Sequence, residues 1–177
     1  MTLITETDRL VLREFERWDL QDLASIMADR RVMEFSTSGP WDLHRTKGFL
    51  ETCKTDYSAE RWDYRRWAMI HKQENCLIGY CGLAQYDDVG GSPEIAVGYR
   101  LKPEYWGRGL ATEAAAATRD YAFERLGMTR LISTIELENR ASIRVAEKIG
   151  MSCEKQVRKW DLQLLVYAIS RRSSPDL

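Results

Sequence analysis

Two glycines one residue apart, Gly107 and Gly109, open a long alanine-rich stretch in the run Trp106-Gly107-Arg108-Gly109-Leu110-Ala111-Thr112. Glycine lets a backbone come close to a ligand, and a helix start offers unpaired N–H groups at the positive end of its dipole. A turn of this kind running into a helix suits an anion, and a pyrophosphate above all. Arg108 adds a cation beside it, and Thr112 a hydroxyl in the first helical turn. The two commonest phosphate loops do not fit. No Gly-Lys-Ser/Thr follows, and Thr112 stands where a dinucleotide fingerprint needs its third glycine. As a bare turn, the same residues would serve equally well to start a helix.

The elements around this turn follow from periodicity. Arg9 to Phe15 alternates as a strand, and Asp19 is placed to cap a helix to about Ala28. Asp42 caps a second helix to roughly Tyr57. Trp67–Lys72 and Cys76–Ala84 read as a hairpin across Gln73-Glu74-Asn75, and a second turn at 87–91 leads to the strand Glu94–Leu101. Gly98 inside that strand predicts a bulge or a close approach by a ligand. A helix from Leu110 to Leu126 is stopped by Gly127, and a strand spans Arg130 to Leu137. Asn139 caps a helix over 141–149, and two last strands cover 152–158 and 162–171. The order β α α β β β α β α β β implies an α/β (α+β) fold with a mixed, mostly antiparallel sheet of six to seven strands and helices on both faces. One domain is expected over residues 1–177, with its core at about 6–171.

Composition narrows the partners. A net charge of −1 over 177 residues gives no general attraction to nucleic acid or an anionic membrane. The apolar share of 44% and charged share of 30% are those of a soluble globular chain, and no apolar run reaches membrane-spanning length. The N-terminus lacks a signal-peptide layout. Cys53, Cys76, Cys81 and Cys153 form no C-x-x-C pair and only His44 and His71 supply imidazole, so no metal is expected, and a reducing cytoplasm is. The basic-aromatic run Arg61–Trp67 has the makings of a base-stacking surface, but reads better as a half-buried strand entry whose arginine stems cover rings.

Three separated segments carry a resemblance. TDRLVLREF, GYRLKPEYWGRGLATEA and ENRASIRVAEKIGM together resemble the GCN5-related N-acetyltransferases, most closely the branch typified by ribosomal-protein alanine N-acetyltransferases. The likeness runs from about Glu6 to Arg171. It implies acetyl-CoA as cosubstrate, wedged where the strand holding Gly98 and the strand from Arg130 splay apart. It also implies that the backbone of Tyr99, Arg100 and Leu101 pairs with the pantetheine arm. The amides from Gly107 through Arg108, Gly109, Leu110 and Ala111 to Thr112 would hold the pyrophosphate, with Asn139 near the thiol end.

Three positions depart from the wider pattern. Trp106 replaces the Gln or Arg that usually opens the loop, as is common in the alanine-acetyltransferase-like branch. Ala146 stands where many members place an acid tyrosine; in this branch a serine of N-x-x-S takes that part, and Ser142 matches it. Ala96 stands at the usual Glu, which leaves Glu94, on the same strand face by period two, as the nominated base. Such a site needs a base for the amine, backbone donors near Tyr99 for the developing oxyanion, and a donor for the departing thiolate. Tyr167 would line the substrate side or pack in the core. The acceptor is a protein N-terminal amine or a small-molecule amine, met through 36–56 and 58–67. The alternative is a non-catalytic acyl-CoA-binding module, and monomer and homodimer both remain open.

Overall fold

The computed structural model describes residues 2–55 and 65–171, and Arg61–Tyr64, with the rest of 56–64, lie outside it. Eight strands, β1 (Leu3–Glu6), β2 (Leu10–Arg13), β3 (Arg65–His71), β4 (Cys76–Tyr86), β5 (Glu94–Leu101), β6 (Arg130–Glu136), β7 (Ser152–Lys159) and β8 (Leu162–Ser170), form one sheet. Four helices, α1 (Leu20–Ala28), α2 (Leu43–Thr55), α3 (Leu110–Glu124) and α4 (Arg140–Lys148), accompany it. The sheet order is β1-β2-β3-β4-β5-β6-β8-β7. All neighbours are antiparallel except β5 and β6, the pair that α3 joins. A parallel pair needs a crossover, and here the crossover brings the glycine turn and the helix start to the sheet's centre.

Alternation along the strands sorts side chains between the two faces of the sheet, with a third, smaller cluster of Val89, Ala96, Ile132, Val166 and Ala168 at one end. Trp67, Met69, Cys81, Leu83 and Val97 face α3 and α4 with Ala114, Ala115, Ile135 and Ile143. Ala68 and Tyr80 face α1 and α2 with Leu23, Met27 and Leu50. Trp67, from the basic-aromatic run, is fully buried edge-on against Tyr121, so β3 lies inside the sheet. Tyr167 packs in the first core, and its hydroxyl donates to Glu147 at 3.4 Å.

Three details differ from expectation. The extra strand is β1, a short edge piece whose apolar Leu3 and Ile4 are adjacent, so it shows no two-residue period. Asp19 sits at the start of α1 but makes no cap bond. Its carboxylate takes the buried Arg13 guanidinium at 2.6 and 2.8 Å, plus the Glu16 amide at 2.7 Å. Asp42 does cap α2, accepting the Arg45 amide at 2.7 Å. Gly98 forms no bulge, because the β4–β5 register runs unbroken from Gly79↔Leu101 to Tyr86↔Glu94.

Candidate active site

β5 and β6 hold together at a single bridge, Ala96↔Ile132, and then separate. Past that bridge the ladder is replaced by a side chain, with the Ser133 hydroxyl donating to the Val97 carbonyl at 3.1 Å. Further along, the indole Nε1 of Trp106 donates to the Leu101 carbonyl at 2.9 Å. Backbone groups of one strand alternate in direction, so Val97, Tyr99 and Leu101 all turn theirs away from β4 and toward the gap. Tyr99 lies between the two occupied carbonyls, and its N–H and C=O both face the opening. Arg100 is out of phase: it pairs with Tyr80 of β4, so its backbone is spent inside the sheet. Of the three residues expected to offer backbone to a ligand, Tyr99 does so fully, Leu101 keeps only its N–H, and Arg100 does not.

The glycine turn stands at the open end of this gap. Gly107 and Gly109 adopt φ of +72° and +79°, a left-handed region that other residues enter at a cost. The first bond of α3 runs from the Glu113 amide to the Gly109 carbonyl at 3.0 Å. The amides of Leu110, Ala111 and Thr112 therefore have no helical carbonyl behind them, and they point out at the positive end of the dipole. This is a donor set for an anion.

A latch from the β1–β2 turn fixes the loop from outside. Glu113 accepts the Thr7 hydroxyl, the Arg9 amide at 3.0 Å and Arg9 Nε at 2.7 Å, while Arg9 Nη1 donates to the Arg108 carbonyl at 2.9 Å. Burial works against ionisation of Glu113, but the Thr7 hydroxyl and Arg9 together hold its carboxyl below the ordinary value. The Arg108 guanidinium is drawn aside: it lies 5.1 Å from the Tyr105 ring centroid and 3.8 Å from Glu74 Oε1. Nothing in the local sequence signals the latch, because its partners are about a hundred residues apart.

α4 supplies the other wall. Asn139 Oδ1 accepts the Ser142 amide at 3.1 Å, so the asparagine caps the helix as expected. The Ser142 hydroxyl lies close to the Tyr99 phenol. Burial pushes that phenol up to about 12, with the serine opposing, so it is protonated throughout the neutral range. Tyr99, Asn139 and Ser142 are thus brought to one spot.

Glu94 is not brought there. It begins β5, behind the bridge at Ala96, and Arg130 donates to both its carboxylate oxygens at 3.1 to 3.2 Å. The same guanidinium holds Glu154 at 2.7 Å, and the two carboxylates, Glu154 foremost, raise it above its ordinary value. At about 3.4 Å per residue, four residues back from Gly98 is about 14 Å from the opening. The side chain faces the α1/α2 side, as period two required, but it is anchored at the closed end. What closes on Gly98 is Arg66: a Cβ there would lie 3.3 Å from Arg66 Nη2.

The donor set, the gap and the hydroxyl pair fit a coenzyme with a diphosphate and an extended amide-bearing arm. The wider comparisons agree. Residues 9–152 match the acetyltransferase (GNAT) domain family. The uncharacterized N-acetyltransferase YnaD of Bacillus subtilis is 34% identical over 86% of this chain and 85% of its own length. Spermidine N(1)-acetyltransferase of Escherichia coli K12 is 27% identical over 82% of this chain and 74% of its own. The crystal structure of a GNAT-family acetyltransferase from Bacillus anthracis superposes with a TM-score of 0.79 at 28% identity, covering 96% of this chain and 98% of the other. The chain belongs to the GNAT family of acetyltransferases.

Proposed function

We propose that the gap between β5 and β6 holds acetyl-CoA, and that this N-acetyltransferase passes the acetyl group to a primary amine arriving from the α1/α2 face. Acetyl-CoA supplies the activated thioester. The amides of Gly109 to Thr112 receive the diphosphate, and Tyr99's N–H and C=O pair with the arm. A backbone donor fixed beside the thioester carbonyl stabilises the charge that builds there as the amine attacks. Ser142, beside the protonated Tyr99 phenol, donates a hydrogen bond to the sulfur as it leaves, and the thiolate takes up the proton that the amine releases through water. The Asn139 cap fixes the helical turn that carries this hydroxyl. Since the glycine turn and α4 occupy one side, the acceptor meets the thioester from the other, in a ternary complex with direct attack.

Glu94 has no part in this scheme; we assign it to the Arg130 cluster. Amine deprotonation then passes to solvent water, and much of the rate comes from holding two reactants together. The observation that carries the reading is the outward backbone of Tyr99, flanked by two occupied carbonyls and facing the glycine turn. The spermidine acetyltransferase relatives support a small-molecule amine over a protein N-terminus as acceptor.

The test is thiol release from acetyl-CoA against a panel of small amines and N-terminal peptides, with acetyl-CoA binding measured by calorimetry. Turnover on any amine above the hydrolytic background is expected. Tight binding with no turnover on any member would replace the enzyme by an acyl-CoA-binding module, and no binding at all would sink both.

A further inference from the structure

Arg66 is a buried cation for which the transfer scheme has no use. It is 8% exposed, and its Nη1 is shielded from solvent with no hydrogen-bond partner among the described residues. A polar group buried without a partner is destabilising, and more so when charged, so folded proteins rarely keep one without a reason. Its placement supplies one. Arg66 pairs with Gly82 of β4, and Gly82 pairs with Gly98 of β5, so the three form one row across the sheet. A Cβ on Gly82 would stand 2.8 Å from the Arg66 Cα, and one on Gly98 would meet the guanidinium at 3.3 Å. The two glycines make a trough along which the arginine lies flat. It ends over Gly98, next to Tyr99, where the sheet opens, and on the α1/α2 face.

Arg100 stands on the same face two residues on, and among the described residues its Nε has only the Met33 thioether at 3.1 Å, a weak acceptor. Among the described residues, three carboxylates near this face are engaged elsewhere: Glu94 with Arg130, Asp22 with Lys102, and Asp19 with Arg13. Met33 and Tyr80 give this face an apolar floor, with Phe49 packed on Tyr80 at 5.5 Å between ring centroids. Among the described residues, a polycation meets two positive charges here, and the three carboxylates just named are already spent. A carboxylate has the opposite prospect, because a planar guanidinium matches it with two parallel hydrogen bonds.

We propose that the acceptor is a small amine bearing a carboxylate close to its nitrogen, of the amino-acid type, and that Arg66 is the group that reads the carboxylate. This rests on the acceptor face assigned above. A guanidinium at that spot also favours the neutral form of the neighbouring amine, the form that attacks.

The experiment compares leucine, phenylalanine and glutamate with their α-amides, and with spermidine, by thiol release. In the unaltered enzyme at least one acid is expected to exceed its amide in kcat/KM by about 100-fold, as charge-assisted hydrogen bonds imply. Arg66→Met should bring that ratio toward one, and Arg66→Lys should restore part of it. The Met variant should also melt no lower than the parent, since an unpartnered buried charge is removed. Calorimetric binding of the N-acetyl amino acids separates the two layers of the reading. If no amine turns over but the parent binds these products and Arg66→Met does not, the transfer scheme fails and the carboxylate assignment stands. Preference for spermidine, or a ratio untouched by Arg66→Met, overturns the assignment while leaving the transferase intact.

Discussion

Replacing Ser142 by alanine isolates one hydroxyl from everything else that holds α4. The bond from the Ser142 amide to Asn139 Oδ1 involves backbone on the serine side, so it survives the change. What is lost is the hydroxyl's contact with the Tyr99 phenol, worth at most about 1 kcal/mol, against about 0.4 kcal/mol gained from alanine's better helix propensity. Net destabilisation should stay below about 1 kcal/mol, or about 2–4 °C in Tm for a chain of this size. The effect on rate is separate. Proton donation by a placed side chain contributes about 10²–10⁴-fold, and a thiolate is a good leaving group that needs little help. The low end applies: kcat should fall about 100-fold, or about 2.7 kcal/mol. Tyr99→Phe removes only the orienting partner and should cost about 10-fold at most. Continuous thiol release at saturating acetyl-CoA, with melting curves alongside, measures both. Because the Tyr99 phenol is pushed up to about 12, the rate profile of the unaltered enzyme should show no alkaline limb from it below about pH 11. A fall in kcat under threefold for Ser142→Ala would refute the donor role, and a larger loss in Tyr99→Phe than in Ser142→Ala would move that role to the phenol.

Glu94→Gln should leave turnover within about threefold, because the carboxylate is held by Arg130; a loss near 100-fold with a displaced acidic limb would make it the base after all. Gly109→Ala forces a side chain into φ +79°, costing about 1–2 kcal/mol, and should raise the acetyl-CoA Kd at least about 10-fold by calorimetry. Asp19→Ala strands Arg13, whose side chain is only 8% exposed, and should cost about 3–5 kcal/mol, read as a Tm lower by about 6–20 °C. Burial raises the folded-state values of the Cys81 thiol, from 9.0 to about 11, and of the Tyr99 phenol, from 10.0 to about 12. The fold favours their neutral forms, so the stability they add is complete below about pH 9 and is lost as pH climbs toward about 12. A urea midpoint that stays level from pH 8.5 to 11 would contradict this.

The parts of the site made by neighbouring residues could be read before any coordinates. Gly107 and Gly109 announce a left-handed turn, and the helix beyond them is marked by its alanines. Asn139 announces a cap, and it is one. What escaped reading was fixed by pairing across the sheet. Glu94 and Arg130 are 36 positions apart, and they meet because β5 and β6 run parallel from a common closed end. Asp19 looked like a cap, since its six-residue separation from Arg13 conceals that both point into the same interior. Arg66 lies in a run that reads as a half-buried strand entry, and only its alignment with Gly82 and Gly98 shows that it reaches the opening. Trp106 could be placed in the loop by its position, but not tied to the Leu101 carbonyl.

A sheet parted down its middle carries a hazard, because each parted strand is an exposed edge able to recruit a strand from another molecule. Ser133 and Trp106 blunt that hazard on β5 by occupying the carbonyls of Val97 and Leu101. Between them they shorten the sticky stretch to little more than one residue, wide enough for a slender ligand and too narrow to template a foreign strand.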